Sequence, residues 1–253
     1  MALKDQDGGQ VVPRNESKGD LLRGAVPALL VGLLCFLNWA LPYLLPLVLR
    51  HSLFPFTQYG RDARVALLLV DIAAQVLAIS GLIFAGMKIS GQSLCGLGLA
   101  RSLIRGNYVL GGLAIGGICG IAVWSLEKFI NYHPIGLAPG LVGAISALRV
   151  VVISPFLEEL FFRGLIYKLL EEKVSAPVNI LLNSFLYALT HYYFGAFLCA
   201  IGVLSMPGSV PSIGAVPVYF GVGLVFSTLR FYSKSLWPSL AAHMGYNLAL
   251  AAL

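Results

Sequence analysis

Apolar stretches of about 20 residues recur along the whole chain, and this feature restricts the fold most. A helix of about that length crosses the hydrocarbon core of a bilayer. Only 11% of the 253 residues are charged and 58% are hydrophobic, whereas a soluble domain carries about 25% charged residues. The sequence therefore predicts an all-α fold, a polytopic transmembrane helical bundle. We count about seven spans, near residues 24–49, 65–87, 108–130, 141–170, 177–204, 216–231 and 236–253.

Composition divides the chain into three parts. Residues 1–22 are polar and mixed in charge, which is typical of a flexible tail. Residues 23–91 are predicted to form two N-terminal transmembrane helices, and residues 92–253 to form the functional core. A short amphipathic stretch, "SGQSLCGLGLARSLIRG", follows the second span and is predicted to lie at the membrane surface.

The net charge of +6 reports topology in a membrane protein and does not indicate nucleic-acid binding. Most basic residues fall on one side if the N-terminus is cytoplasmic. They lie in the tail, after the second span (Lys88, Arg101, Arg105), after the fourth (Lys168, Lys173) and after the sixth (Arg230, Lys234). The first outer loop is the exception, with Arg50, Arg61 and Arg64. We therefore expect an integral, multi-pass protein with a cytoplasmic N-terminus, and a bacterial inner membrane is the favoured location.

Strongly polar side chains inside the predicted spans need an explanation, because burying a charge in a bilayer is costly and usually functional. They are Asp71 in the second span, Arg149, Glu158, Glu159 and Arg163 in the fourth, His191 in the fifth, and His243 and Asn247 in the seventh. Asp71 and Arg149 are predicted to pair with each other and fix the packing of their spans.

Helical spacing arranges these residues. Glu159 and Arg163 are four apart, so they share a face and are predicted to form an ion pair. Glu158 points about 100° away from Glu159, towards a different neighbour. His243 and Asn247 are also four apart and lie on one face of their helix.

Carboxylate, imidazole and amide groups at one depth are suited to the attack of water on a carbonyl group. The carboxylate takes a proton from water, an imidazole orients that water, and a His–Asn pair donates hydrogen bonds to the developing oxyanion. The same residue types, one Glu and two His, also form a common zinc-ligand set. The HExxH motif of zinc proteases is absent. Both chemistries remain open from the residues alone.

Three motifs on three spans resemble one known family. "EELFFR" (158–163) fits the EExxxR motif of the CPBP family, which includes the CAAX prenyl proteases and the bacteriocin-processing proteins of the Abi group. "YALTH" (187–191) stands where that family has FxxxH, and "SLWPSLAAHMGYN" (235–247) resembles its final HxxxN motif. The resemblance covers about residues 92–250.

The resemblance implies an intramembrane endopeptidase of seven or eight helices. In such an enzyme Glu158 activates water with the help of His191, and His243 and Asn247 stabilise the oxyanion. Glu159 and Arg163 form the supporting pair. The family is described both as glutamate-dependent and as metal-dependent. A divalent metal, zinc being the expected one, would be held by Glu158, His191 and His243.

The resemblance also implies the partners, namely a lipid bilayer and a peptide or protein substrate, prenylated or bacteriocin-like, and no nucleic acid. The chain departs from the family pattern at one position, where Tyr187 replaces the Phe before the first His. Its buried hydroxyl group needs a hydrogen-bond partner.

Two other classes of function are alternatives. One is a non-catalytic immunity or scaffold protein on the same fold, which would not need the acid and base groups. The other is a transporter in which the ionisable residues relay protons or ions. The sequence shows no internal repeat, which disfavours a transporter.

Overall fold

The structure is a computed structural model that describes residues 18–53, 61–100, 105–130, 140–191 and 216–253. Seven long helices occupy these residues, which contain no strand. The second half of the predicted fifth span, the loop at 205–215 and most of the N-terminal tail lie outside the described residues. The helices are α1 (Lys18–Leu53), α2 (Arg61–Ser90), α3 (Gly106–Ile130), α4 (Gly140–Glu171), α5 (Ala176–His191), α6 (Val216–Ser233) and α7 (Leu236–Ala252).

The distribution of polar and apolar side chains is that of a membrane protein. Large apolar side chains such as Leu29 and Leu77 point outward, 72% and 67% exposed, while Glu159 and Arg163 are buried. Helices α1 to α4 are each long and apolar enough to cross a membrane. The all-α membrane fold is therefore confirmed. The total of seven spans stays a prediction, because α5 is described only as far as His191.

Helix α4 is continuous but irregular. Its five segments are the α-helical Gly140–Leu148, the π-helical Arg149–Ile153, the α-helical Ser154–Glu159, the π-helical Leu160–Ile166 and the α-helical Tyr167–Glu171. Pro155 follows the first π-helical segment. Proline has no backbone N–H and so disrupts regular helical bonding around it. The Ser154 N–H accordingly reaches back five residues to the Arg149 carbonyl.

Helices α3 and α7 pack with their backbones in close contact. Gly116 of α3 lies directly against the backbone of Ala242, and Gly120 lies against the backbone of Tyr246. A Cβ atom at either glycine would overlap these α7 atoms. This approach follows from the GxxxGxxxG spacing in "GGLAIGGICG", the pattern that allows membrane helices to pack closely. It fixes the helix that carries His243.

The start of α7 is defined by local sequence. Lys234 has a positive φ of 55° and turns the chain. Ser235 then adopts an extended conformation, and its hydroxyl oxygen accepts a hydrogen bond from the Trp237 N–H. This is the ordinary N-cap arrangement of serine. It begins α7 two turns before His243.

Candidate functional site

Polar side chains from α4, α5 and α7 meet where the Ser154–Glu159 segment of α4 changes to the π-helical segment Leu160–Ile166. Single π-helical turns inside α-helices occur frequently at functional sites. Glu158 and Glu159 are the last two residues before this turn. The two carboxylates face different surroundings.

Glu159 is enclosed, only 1% exposed. Its Oε1 lies 3.1 Å from Arg163 Nη1 and 3.0 Å from His243 Nδ1. Its Oε2 accepts a short hydrogen bond from the Ser239 hydroxyl. Both carboxylate oxygens are therefore occupied by groups of the protein, and no face of Glu159 is open to a substrate. It orients its neighbours.

Arg163 is fully buried and its charge is balanced by Glu159. Its Nη2 donates to the Gly223 carbonyl oxygen at 3.2 Å. The guanidinium group also lies over the ring of Tyr187, 4.2 Å from the ring centroid, and 5.4 Å from that of Phe226. Such cation–π contacts strengthen when they are shielded from water. The ion pair thus links α4 to α5 and α6.

Glu158 has a different environment. Its side chain is 19% exposed, and its Oε2 lies 3.4 Å from His191 Nε2 and 3.9 Å from His243 Nε2. His191 has a similar exposure of 20%. Within the described residues, the accessible polar groups of the site are therefore Glu158 and His191, and the other groups lie behind them.

The hydrogen bond that His191 makes through Nδ1 determines which ring nitrogen can act as an acceptor. His191 Nδ1 lies 2.8 Å from the carbonyl oxygen of Tyr187, one helical turn earlier. A carbonyl oxygen can only accept, so Nδ1 carries the hydrogen and a neutral ring presents Nε2 as an acceptor. The ring lies between those of Tyr187 and Tyr219, tilted by 55° and 31° to them, with both centroid distances 4.2 Å. His191 therefore directs a lone pair towards Glu158.

His243 is arranged in the same sense. Its Nδ1 faces Glu159, which accepts, so a neutral ring again presents Nε2 as an acceptor. The Tyr187 hydroxyl lies 3.4 Å from this Nε2 and is the donor when the ring is neutral. The hydroxyl group that distinguishes Tyr187 from phenylalanine thus has a partner. His243 is also stacked on Phe226, with centroids 4.8 Å apart, and is fixed on every side.

Asn247 is placed apart from these groups. Its Nδ2 donates to the Val150 carbonyl oxygen at 2.8 Å, in the first π-helical segment of α4. Within the part of the chain that the structure describes, it makes no hydrogen bond to Glu158, His191 or His243. The other predicted site residues lie close together, whereas Asn247 joins α7 to the backbone of α4. One of its two amide hydrogens is engaged there.

Four polar residues of this region are not predicted by the sequence reasoning. Ser239 binds Glu159, and three other side chains bind backbone carbonyls of α4. Their spacing gives a partial signal, since Ser239 precedes His243 by four residues and the two α5 asparagines are four apart. The three are Asn179, Asn183 and Arg230.

The residues proposed as metal ligands fit a metal in their donor chemistry. Metal-binding histidines usually donate their second ring N–H to a carboxylate or a carbonyl group. His191 and His243 both do this through Nδ1 and keep Nε2 available. However, no three His, Cys, Asp or Glu side chains among the described residues form a closed metal-ligand cluster.

Comparison with protein families agrees with the three motifs. Residues 140–249 match the family model of the type II CAAX prenyl endopeptidases, described as Rce1-like. These residues are therefore similar to an Rce1-like domain. The match confirms the resemblance to the CPBP and CAAX proteases and includes α4 to α7 almost completely. Neither the curated proteins nor the solved structures provide a match to the chain. At this level the Rce1-like domain supports a protease function in an integral membrane protein.

Proposed function

We propose that the protein is an intramembrane endopeptidase in which Glu158 activates water. The observation that carries this proposal is the approach of two acceptors, Glu158 Oε2 and His191 Nε2, at 3.4 Å. Oε2 itself is buried, so a water molecule reaches the pair at the exposed part of the Glu158 carboxylate, beside the His191 ring. A water molecule that donates one hydrogen to the carboxylate keeps a lone pair free for attack.

The reaction follows from this placement. As the water oxygen attacks the carbonyl carbon of the scissile peptide bond, Glu158 takes one proton from the water. The π electrons of the carbonyl group move to its oxygen and form the oxyanion. When the tetrahedral intermediate collapses, the C–N bond breaks and the amine takes the proton back from Glu158. His191 holds the water in place, and the carbonyl oxygen of Tyr187 holds His191.

His243 is proposed to donate to the oxyanion through Nε2. This role requires a ring with hydrogens on both nitrogens, and Glu159 stabilises that cation through Nδ1. Asn247 is proposed as the second donor through its remaining amide hydrogen, while its other hydrogen holds the Val150 carbonyl.

A metal-dependent mechanism is the second candidate, and the commitment of both Nδ1 atoms favours it. Glu158, His191 and His243 would hold the ion. A divalent metal such as zinc supplies Lewis acidity and lowers the pKa of a bound water molecule. In that case Glu159 and the Tyr187 carbonyl would orient the two imidazole ligands.

The proposed substrate is a peptide or protein associated with the membrane, prenylated as in the CAAX-type family or bacteriocin-like as in the Abi group. The lipid bilayer is the other partner, and no nucleic acid is involved. The proposed location is a bacterial inner membrane with the N-terminus in the cytoplasm. The site would then act near the cytoplasmic leaflet, because the basic residues that follow α4 lie on that side.

The test is cleavage of fluorogenic peptides, prenylated and unprenylated, by the purified full-length protein, with and without a strong chelator. Glu158→Ala, checked for equal yield and thermal unfolding midpoint, is the matched control. We expect cleavage that needs Glu158 and survives the chelator. Loss with the chelator and recovery with zinc would establish the metal mechanism.

Full activity of the Glu158→Ala variant would overturn the proposed base. If wild type cleaves no peptide, substrates that accumulate in cells expressing Glu158→Ala are identified by proteomics. Absence of any accumulated substrate, together with an unchanged phenotype of Glu158→Gln/His243→Ala, would favour the immunity or scaffold function instead.

A further inference from the structure

The π-helical segment Leu160–Ile166 is held from outside by side chains of α5 and α6. Two of its carbonyl groups, those of Phe162 and Arg163, accept hydrogen bonds from Asn183 and Arg230. In a bilayer, an irregular helix is tolerated where neighbouring helices satisfy its backbone groups. These two bonds lie next to the site, because the segment begins immediately after Glu158 and Glu159.

Asn183 is fully buried, and its Nδ2 donates to the Phe162 carbonyl oxygen at 2.7 Å. Its amide is itself oriented. The Ser227 hydroxyl of α6 donates to Asn183 Oδ1 at 3.3 Å, and the Ser184 hydroxyl lies 3.2 Å from that of Ser227. The Asn183 amide thus donates to the Phe162 carbonyl of α4, and the Ser227 hydroxyl of α6 fixes its orientation.

Arg230 is 4% exposed and makes the second bond, from Nε to the Arg163 carbonyl oxygen at 3.0 Å. Its guanidinium group lies over the Tyr167 ring, 5.3 Å from the centroid. The turn Cys95–Leu99 leaves space for it at Gly98, where φ is +97° and a Cβ atom would lie 3.2 Å from Arg230 Cζ. Arg230 of α6 is therefore fixed by Gly98, which precedes α3, by the Arg163 carbonyl in the π-helical segment, and by Tyr167, which follows that segment.

We propose that Asn183 and Arg230 are positioning residues, which hold the π-helical turn of α4 in the register that aims Glu158 at His191 and Glu159 at His243. An ordinary α-helical turn at this place would rotate the residues on one side of it relative to those on the other by about 100°. The ion pair of Glu159 with Arg163 spans this turn, so a change in its register displaces both carboxylates. This inference rests on the proposed proteolytic function.

The chain offers a matched control on the same helix. Asn179 lies one turn before Asn183 on α5, is 1% exposed, and donates from Nδ2 to the Tyr167 carbonyl oxygen at 3.0 Å. The residue type, the burial and the bond donated by Nδ2 are the same at the two positions, whereas only Asn183 also accepts a bond, from Ser227. Tyr167 lies beyond the π-helical segment, eight residues after Glu159. Loss of the Asn179 bond therefore removes a buried hydrogen bond to α4 without releasing the turn.

The experiment compares Asn183→Leu with Asn179→Leu in the full-length protein, with kcat, KM and thermal unfolding midpoint measured for each. We expect the unfolding midpoint to decrease in both variants, and somewhat more in Asn183→Leu, which also loses the bond from Ser227. We expect kcat to fall about 10²-fold in Asn183→Leu, as a misplacement of about 1 Å does, and to stay within about twofold of wild type in Asn179→Leu. KM should change little in either variant, because the proposed role concerns the reacting groups and not substrate binding.

Equal kcat values in the two asparagine variants would overturn the inference, while wild-type cleavage would still support the proposed function. Absence of cleavage by the wild type would instead remove the basis of both. If Asn183→Leu does not fold, Asn183→Asp and Arg230→Lys replace it. Each keeps the approximate size of the side chain and weakens one bond to the turn. A kcat near that of wild type in both would then count against the inference.

Discussion

Glu158 and Glu159 are neighbours in sequence with the same side chain, yet they occupy opposite kinds of environment. Glu159 is enclosed by Arg163, His243 and Ser239, and both its oxygens are bound. Glu158 is 19% exposed, and its buried Oε2 faces the Nε2 atoms of two imidazoles. A carboxylate whose oxygens are already bound serves the structure, and one that remains open can act on water. The comparison suggests that activity and stability can be separated at adjacent residues.

The largest effect on activity is expected for Glu158→Gln. The amide cannot take a proton from water, and general-base catalysis typically contributes 10²–10⁴-fold, so kcat should fall by about that factor. The thermal unfolding midpoint should stay close to that of wild type, because the side chain is partly exposed and carries no enclosed bond. Cleavage assays and thermal unfolding measure the two quantities. Glu171→Gln, which alters an exposed carboxylate paired with Lys168, is the control.

The same substitution one residue later should affect stability most. Glu159→Gln leaves the fully buried Arg163 without a counter-charge, and breaking a buried pair from one side typically costs about 3–5 kcal/mol. We expect a large decrease in the free energy of unfolding and a loss of cleavage with it. The double variant Glu159→Leu/Arg163→Met removes both charges and should recover part of the stability but no activity. A Glu159→Gln protein as stable as wild type would contradict the comparison.

Sequence reasoning identifies which spans carry the site because strongly polar residues in apolar stretches are rare. It also identifies the Glu159–Arg163 relation, because four-residue spacing is preserved even though Arg163 lies in a π-helical turn. The π-helical turns themselves have no clear signature in the sequence. Hence the roles of Asn183 and Arg230, which depend on carbonyl groups of that turn, are not predictable from it.

Asn247 also shows where prediction from helical spacing fails, here because the partner helix is irregular. Its spacing from His243 predicts a common face, but the helix opposite that face is π-helical at Arg149–Ile153. The face therefore meets the backbone carbonyl group of Val150. A pattern of helical spacing describes one helix and assumes that the partner is regular. Where the partner is irregular, the predicted neighbours change.

A smaller effect is expected for Ser239→Ala. The substitution removes the hydroxyl that donates to Glu159 Oε2 and changes the side-chain volume little. Hydrogen bonds to charged groups contribute about 1.5–3 kcal/mol, so the unfolding free energy should fall by about that amount. Ser90→Ala, which removes a hydroxyl bonded to a backbone carbonyl of its own helix, is the control and should cost less. If both serine variants are equally stable, Ser239 does not help to enclose Glu159.

The smallest effect is expected for Tyr187→Phe. This substitution removes a contact to His243, the imidazole that lies beside both carboxylates. The hydroxyl bond to His243 Nε2 is long, 3.4 Å, and the retained ring still lies under Arg163. Loss of a hydrogen bond of about 0.5–1.5 kcal/mol corresponds to a decrease in kcat of about 2- to 10-fold. The control is Tyr167→Phe, which removes another tyrosine hydroxyl and keeps the ring beside Arg230. A decrease as large as that of Glu158→Gln would mean that the hydroxyl contacts the reacting atoms. His243 would then be oriented by Glu159 alone. Its Nδ1 would belong to the enclosed carboxylate, Glu159, and its Nε2 would face the reacting groups beside Glu158.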